Sequence, residues 1–95
     1  MIREHALLPV KPGLGPEFEH ALGSALPIIR SMPGCQRAEV SRCIEDPNLY
    51  LLLVDWERLE DHDPGFRESD PYQEWKRLLH HFYEPFPTVQ HFEAL

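Results

Sequence analysis

Basic residues, cysteine and long apolar runs are all scarce in this chain, and each scarcity removes a class of function. Nine Lys and Arg stand against sixteen Asp and Glu, a formal charge of −7 over 95 residues. That balance opposes nucleic-acid phosphates and anionic membrane surfaces unless a local basic patch reverses it, and the sequence holds no such patch. No apolar run approaches the roughly 20 residues needed to cross a bilayer. The start, Met1-Ile2-Arg3-Glu4-His5, lacks the long apolar core of a secretion signal. These features lead us to expect a soluble cytoplasmic protein that binds neither nucleic acid nor membrane.

The two cysteines, Cys35 and Cys43, fall on one expected strand. At about 3.3 Å per residue they lie roughly 26 Å apart, and a disulfide needs Cα atoms within about 7 Å. Two reduced structural thiols are expected. A Gly-rich phosphate loop, a nucleophile elbow and zinc-type Cys/His spacing are also missing, which leaves phosphotransfer, hydrolase and zinc chemistry without local support. His80 and His81 are adjacent on an expected helix, where neighbours point about 100° apart and cannot chelate one ion together. No metal site is expected.

What the chain does have is alternating period. Residues 2–9 read as a strand ending at Pro9, and a Pro/Gly-rich loop follows. Phe18, Ala21, Leu22, Ala25, Leu26 and Ile29 recur at helical steps and predict a helix over 16–31, opened by Pro16 and kinked or tightened by Pro27. Cys35 to Ile44 alternates as a strand, Glu45-Asp46-Pro47-Asn48 reverses the chain, and 49–56 returns as a second strand that is apolar on both parities. Residues 57–69 are charged and contain Pro64-Gly65, which predicts an irregular segment with one helical turn over the sheet edge. Asp70-Pro71, with Gln73 following, resembles an N-cap and capping box. Tyr72, Trp75, Leu78, Leu79, Phe82 and Tyr83 then form a buried helical stripe, and 88–93 reads as a last strand with Val89 and Phe92 on opposite faces.

This order is βαββαβ, which predicts one ferredoxin-like α+β domain over residues 1–95, with a four-stranded antiparallel sheet and two helices on one face. The helices cannot cover both Leu51/Leu53 and Leu52/Val54. A second sheet is expected on the open face, giving a homodimeric α+β barrel. Small size leans the same way, because a chain of this length buries only about two-thirds of its unfolded surface.

Pro33-Gly34-Cys35, Tyr50 through Trp56-Glu57, His62, Phe66-Arg67, Ser69, Tyr72, Trp75, Pro87, Val89 and His91 together resemble the antibiotic biosynthesis monooxygenase family over nearly the whole chain. The resemblance implies a pocket between helices and sheet. In it some members oxidise a phenolic or quinol substrate with molecular oxygen, using no metal or flavin, because the substrate's own anion does the reducing. A small aromatic molecule and oxygen are then the partners, with no cofactor.

Such a site must hold a ring, accept a hydroxyl proton and stabilise the anion. His62 is the expected base, since imidazole can take a phenolic proton near neutral pH and the acids around it would raise its pKa. Its structural alternative is a turn-capping histidine. Trp56, Phe66, Tyr72 and Trp75 are expected to line the slot, or else to be core, and the Tyr72 hydroxyl is a candidate donor. Arg67 is the cation available to a developing phenolate, unless it pairs with Glu68, Asp70 or Glu74. His5 is a second base candidate, although its parity, opposite Ala6 and Leu8, favours polar surroundings. Haem degradation, achieved in related proteins with a helix-two histidine and a strand-one asparagine, fits less well unless His80 or His81 serves instead: strand one has no asparagine and Lys76 falls near the histidine position. A non-catalytic dimeric module binding a small apolar ligand is the remaining alternative.

Overall fold

Turn-forming residues interrupt the two hydrophobic periods of the chain and so set the order of elements in the computed structural model, which describes all 95 residues. Strand β1 (Ile2–Pro9) leads through Gly13, in the left-handed region at φ +85°, into helix α1 (Gly15–Arg30) with Pro16 in its first turn. Gly34, at φ +83°, opens β2 (Cys35–Arg42), and Asp46 closes the reversal by accepting the Asn48 backbone N–H at 3.0 Å. Strand β3 (Leu49–Trp56) follows. A helical turn (Asp61–Phe66), helix α2 (Asp70–Leu79), a tighter turn (His80–Phe82) and β4 (Val89–Glu93) complete the chain.

The strands form one antiparallel sheet in the order β2-β3-β1-β4, and the fold is ferredoxin-like α+β. Register decides which residues the helices cover. Ala6 pairs with Leu52 and Val89, Leu8 with Tyr50, and Ala38 with Val54. These residues face Phe18, Leu22, Ala25 and Ile29 of α1 and Trp75 and Leu79 of α2 in one core. Phe18 is fully buried and meets the rings of Tyr50, Phe82 and Tyr83, tying α1 to both the sheet and the turn after α2. The opposite parity holds Leu7, Leu51, Leu53 and Phe92. On that face Leu7 remains 47% and Phe92 52% exposed.

Pro27 stays inside α1, which runs on to Arg30, and the chain tightens just beyond it: the Ser31 N–H reaches the carbonyls of Pro27 at 3.1 Å and Ile28 at 3.3 Å. Three local expectations change. Strand β2 stops at Arg42, short of Ile44, and carries a bulge between Cys35 and Arg37. The N-cap of α2 is Ser69, not Asp70: its hydroxyl accepts the Tyr72 N–H at 3.3 Å, so no capping box to Gln73 forms. The helical turn 61–66, interrupted where Asp63 is extended (φ −140°, ψ 110°), lies over the helix-covered face and not the edge. Its buried side chains, His62 and Phe66, rest on Trp56. Both cysteines are free, and no helix is long and apolar enough to cross a membrane.

Candidate functional site

A cleft opens where the turn 61–66 and α2 stand over the middle of the sheet. Its cavity volume is about 60 Å³, below the few hundred Å³ of a typical small-molecule site, so a ring-sized ligand must displace some of the lining side chains. Its floor is Glu4, Ala6, Leu8 and Leu52 from the central strands, and one wall is His62, Phe66 and Arg67 from the turn. Tyr72 and Trp75 of α2 form the facing wall, closed by His80, Tyr83 and the segment ending at Val89. The lining is mainly apolar and aromatic, with Phe66 edge-on to both Tyr72 (5.2 Å) and Trp75 (5.7 Å).

The polar end of the cleft is a chain of close polar contacts running from buried to exposed. Glu4 is 4% exposed, and its Oε1 accepts the Trp56 indole N–H at 2.9 Å. The same oxygen lies 3.4 Å from His62 Nε2. His62, itself 3% exposed, places Nδ1 2.7 Å from Nε2 of His91 on the exposed strand β4. One proton must lie between the two imidazoles. With His62 neutral, the short contact is satisfied when His91 Nε2–H donates to His62 Nδ1, which leaves the His62 proton on Nε2, facing Glu4.

Electrostatics agree with that arrangement. Burial, with the positive charge of Arg67 and the neighbouring His91, pushes the His62 pKa down to about 4, Asp63 opposing weakly. The expectation that nearby acids raise it is therefore wrong, since desolvation outweighs them. Burial raises the Glu4 pKa, partly offset by the Trp56 donor and by Arg67. His91 and His80 are lowered, both chiefly by burial. The His62–Glu4 contact, at 3.4 Å, is thus the approach of a neutral ring to the carboxyl group and not an ion pair.

Of the expected residues, His62, Phe66, Arg67, Tyr72 and Trp75 meet at the cleft. Trp56 does not line it. It is fully buried behind His62, stacked on that imidazole with centroids 5.5 Å apart, and holds Glu4 instead of a ligand. His5 is also elsewhere: odd parity on β1 puts it on the open face, edge-on to Phe92 at 5.7 Å. Arg67 pairs with none of Glu68, Asp70 or Glu74; its nearest acid is Asp63, at 3.9 Å. His80 lines the cleft while His81 is exposed, as their helical phase requires. The residue most clearly missed is Glu4. Its signal was parity, because an acid in phase with Ala6 and Leu8 must point into the core.

Comparisons with known proteins accord with this geometry. The profile of the family described as antibiotic biosynthesis monooxygenase matches residues 1–78. The uncharacterized protein YczJ of Bacillus subtilis is 57% identical over 93 residues, covering 98% of each chain. The crystal structure of a proposed antibiotic biosynthesis monooxygenase from Bordetella bronchiseptica superposes with a TM-score of 0.93 at 35% identity, over 99% of this chain and 96% of that one. SnoaB, a cofactor-independent oxygenase from Streptomyces nogalater, shares the fold with a TM-score of 0.83 at 16% identity, over 98% of this chain and 91% of its own. The profile match and the close similarity to the Bordetella protein establish that this chain belongs to the antibiotic biosynthesis monooxygenase family.

Proposed function

We propose that this protein is a cofactor-independent monooxygenase that oxidises a small aromatic, quinol-like substrate with molecular oxygen, acting as a single domain within a homodimer. The observation that carries the reading is the joining of an apolar, aromatic-walled cleft to a buried carboxylate–imidazole pair at its inner end. Phe66, Tyr72 and Trp75 offer faces to a flat ring, and the Tyr72 hydroxyl is positioned on the same wall. His62 stands at the centre of the proton-transfer machinery. Arg67, at the rim, offsets the charge of the substrate anion, whose electrons then reduce oxygen. A mainly apolar, aromatic-walled pocket favours this chemistry, because it strengthens the interactions that hold the anion.

The dimer rests on the open sheet face. Leu51 and Leu53 are half-buried there beside the exposed Leu7 and Phe92, an apolar surface that a second copy of the same sheet would cover.

The test is oxygen consumption by purified, metal-free protein with a panel of naphthols, anthrones and quinols, run beside a haem titration followed by absorbance. Enzyme-dependent uptake is the expected result. A Soret shift without uptake would move the reading to haem. Silence in both would leave a small-ligand-binding module.

A further inference from the structure

The monooxygenase reading leaves open which atom receives the substrate proton and how that proton reaches solvent. His62 is poorly placed to do both, because its Nδ1 is taken by His91 at 2.7 Å and its Nε2 is turned to Glu4, 3.4 Å away. Glu4 differs. Its Oε1 takes the Trp56 N–H and faces His62, whereas Oε2 has no hydrogen-bond partner in the chain, and no polar side-chain atom that is sealed from solvent lacks one. The Glu4 side chain lines the cleft floor, so its free oxygen opens on the cleft.

We propose that Glu4 is the residue that accepts the substrate hydroxyl proton, and that His62 and His91 form a two-ring proton wire joining Glu4 to solvent. The proposal rests on the monooxygenase reading for the identity of the proton donor, and on geometry alone for the wire. In the resting arrangement both imidazole N–H bonds point inward. A solvent proton taken up at His91 Nδ1 releases the His91 Nε2 proton to His62 Nδ1, and the His62 Nε2 proton passes to Glu4 Oε1. Both rings are left in the opposite tautomer. As the substrate proton arrives at Glu4 Oε2, the proton on Oε1 leaves by the reverse sequence and both rings return to the starting tautomer. The proton on Oε2 then passes to the reduced oxygen, which restores the carboxylate, so one solvent proton enters and leaves and the substrate proton ends on the product oxygen.

The surrounding charges suit such a device. Arg67 acts on Glu4, His62 and His91 together, Asp63 opposes it at both histidines, and Cys35 senses Glu4 from the start of β2. The outer ring is on an exposed strand residue, so the wire ends in water. Trp56 fixes the inner end from the opposite side, and its indole keeps Oε1 from rotating toward the cleft.

Two measurements test this on the intact protein. The first needs no ligand: NMR of nitrogen-labelled histidines. The expected result is His62 carrying its proton on Nε2, hydrogen-bonded through Nδ1 to His91, and staying neutral across the range where a free histidine titrates. A His62 protonated on Nδ1, or titrating like a free histidine, would overturn the wire whatever the activity. The second is oxygen uptake with the same naphthols and quinols. Glu4→Gln should lower turnover by about 10² to 10⁴, the usual worth of a general base. His91→Gln keeps a side-chain N–H for His62 but cannot relay; its turnover should fall and then recover on adding free imidazole. Full activity in Glu4→Gln would remove its role as acceptor. An unimpaired His91→Gln, or an impaired one that imidazole does not rescue, would remove the wire. If the unaltered protein takes up no oxygen while the expected tautomers are seen, the monooxygenase reading fails and the wire stands.

Discussion

The imidazole of His62 lies nearly parallel to the indole of Trp56, centroids 5.5 Å apart and planes 14° apart, and both rings aim a nitrogen at the same oxygen of Glu4. Three residues from β1, the end of β3 and the turn 61–66 thereby form one buried polar unit. Trp56→Phe keeps much of the stacking surface and deletes one donor to a buried carboxylate. We expect a loss of roughly 1.5–3 kcal/mol, the worth of a hydrogen bond to a charged group, measured by urea denaturation. The Glu4 pKa should rise further, since Trp56 is the first of the groups that hold it down.

Stability should depend on pH through the same unit. His62 binds its proton near pH 4 when folded and near 6.5 when unfolded. Between those values the unfolded chain holds more protons, so this contribution, roughly 3 kcal/mol, is present above about 6.5 and lost as pH falls toward 4. Glu4 works in the opposite sense: its raised pKa lets the folded state take a proton first, which favours folding as pH falls toward the ordinary carboxyl value. Denaturation measured from pH 7 to pH 4 should therefore show a shallower loss in His62→Gln and a steeper one in Glu4→Gln. Parallel curves for all three proteins would contradict this assignment.

Much of the fold was legible because two periods carry it: the stripe Phe18, Leu22, Ala25, Ile29 marks a helix, and Leu49 to Trp56, apolar on both parities, marks a central strand. The cleft was half legible. Phe66, Tyr72 and Trp75 stand out as large aromatics, but nothing local distinguishes Trp56, which turns inward, from Trp75, which meets the cleft. The partnership of Glu4, His62 and His91 could not be read from spacing, since it spans sequence separations that only strand register closes: Glu4 sits opposite His91 in the β1–β4 ladder. The pKa of His62 was misjudged for a related reason. Glu60 and Asp63 are exposed and Asp61 turns to the Arg58 backbone, while the ring itself is buried.

Gly34 tests how the turn 61–66 is held in place. Its φ of +83° suits only glycine-like freedom, and a Cβ there would fall 2.2 Å from Asp61 Oδ2 and 2.8 Å from Asp61 Cβ. Asp61 itself accepts the Arg58 backbone N–H at 3.0 Å, one residue before His62. Gly34→Ala should cost more than about 1 kcal/mol, because the substitution meets both strain and overlap. It should also disturb His62, visible as a shift of its ring resonances, and unchanged stability would show that the turn tolerates displacement.

Arg67 stands apart from the structural core. Its side chain is exposed and its contact to Asp63 is long, so Arg67→Gln should change stability by no more than about 0.5 kcal/mol. Its charge nonetheless lowers both His62 and His91. In the variant the pKa values of both histidines should move up, read by NMR titration, while oxygen uptake falls through the loss of anion stabilisation. Fixed histidine pKa values would mean that solvent screens Arg67 from the wire.

The open face of the sheet makes the last prediction. Leu53 pairs with His5 on β1 and Glu39 on β2, and Leu51 with Leu7 and Ser41, so the apolar residues cluster on the central strands with polar ones around them. Asp55 and Arg3 close one end through a charge-assisted pair at 2.8 Å made within one chain. A face so arranged is apolar at its centre and polar at its rim, the pattern of a protein interface. Leu53→Glu places a charge at that centre without touching the helix-covered core. We expect the variant to keep its circular dichroism and run as a monomer in sedimentation, with the unaltered chain sedimenting as a dimer. If both sediment alike as monomers, a second sheet does not cover this face. The cleft would then have to work in a single subunit, which its lining by one chain permits.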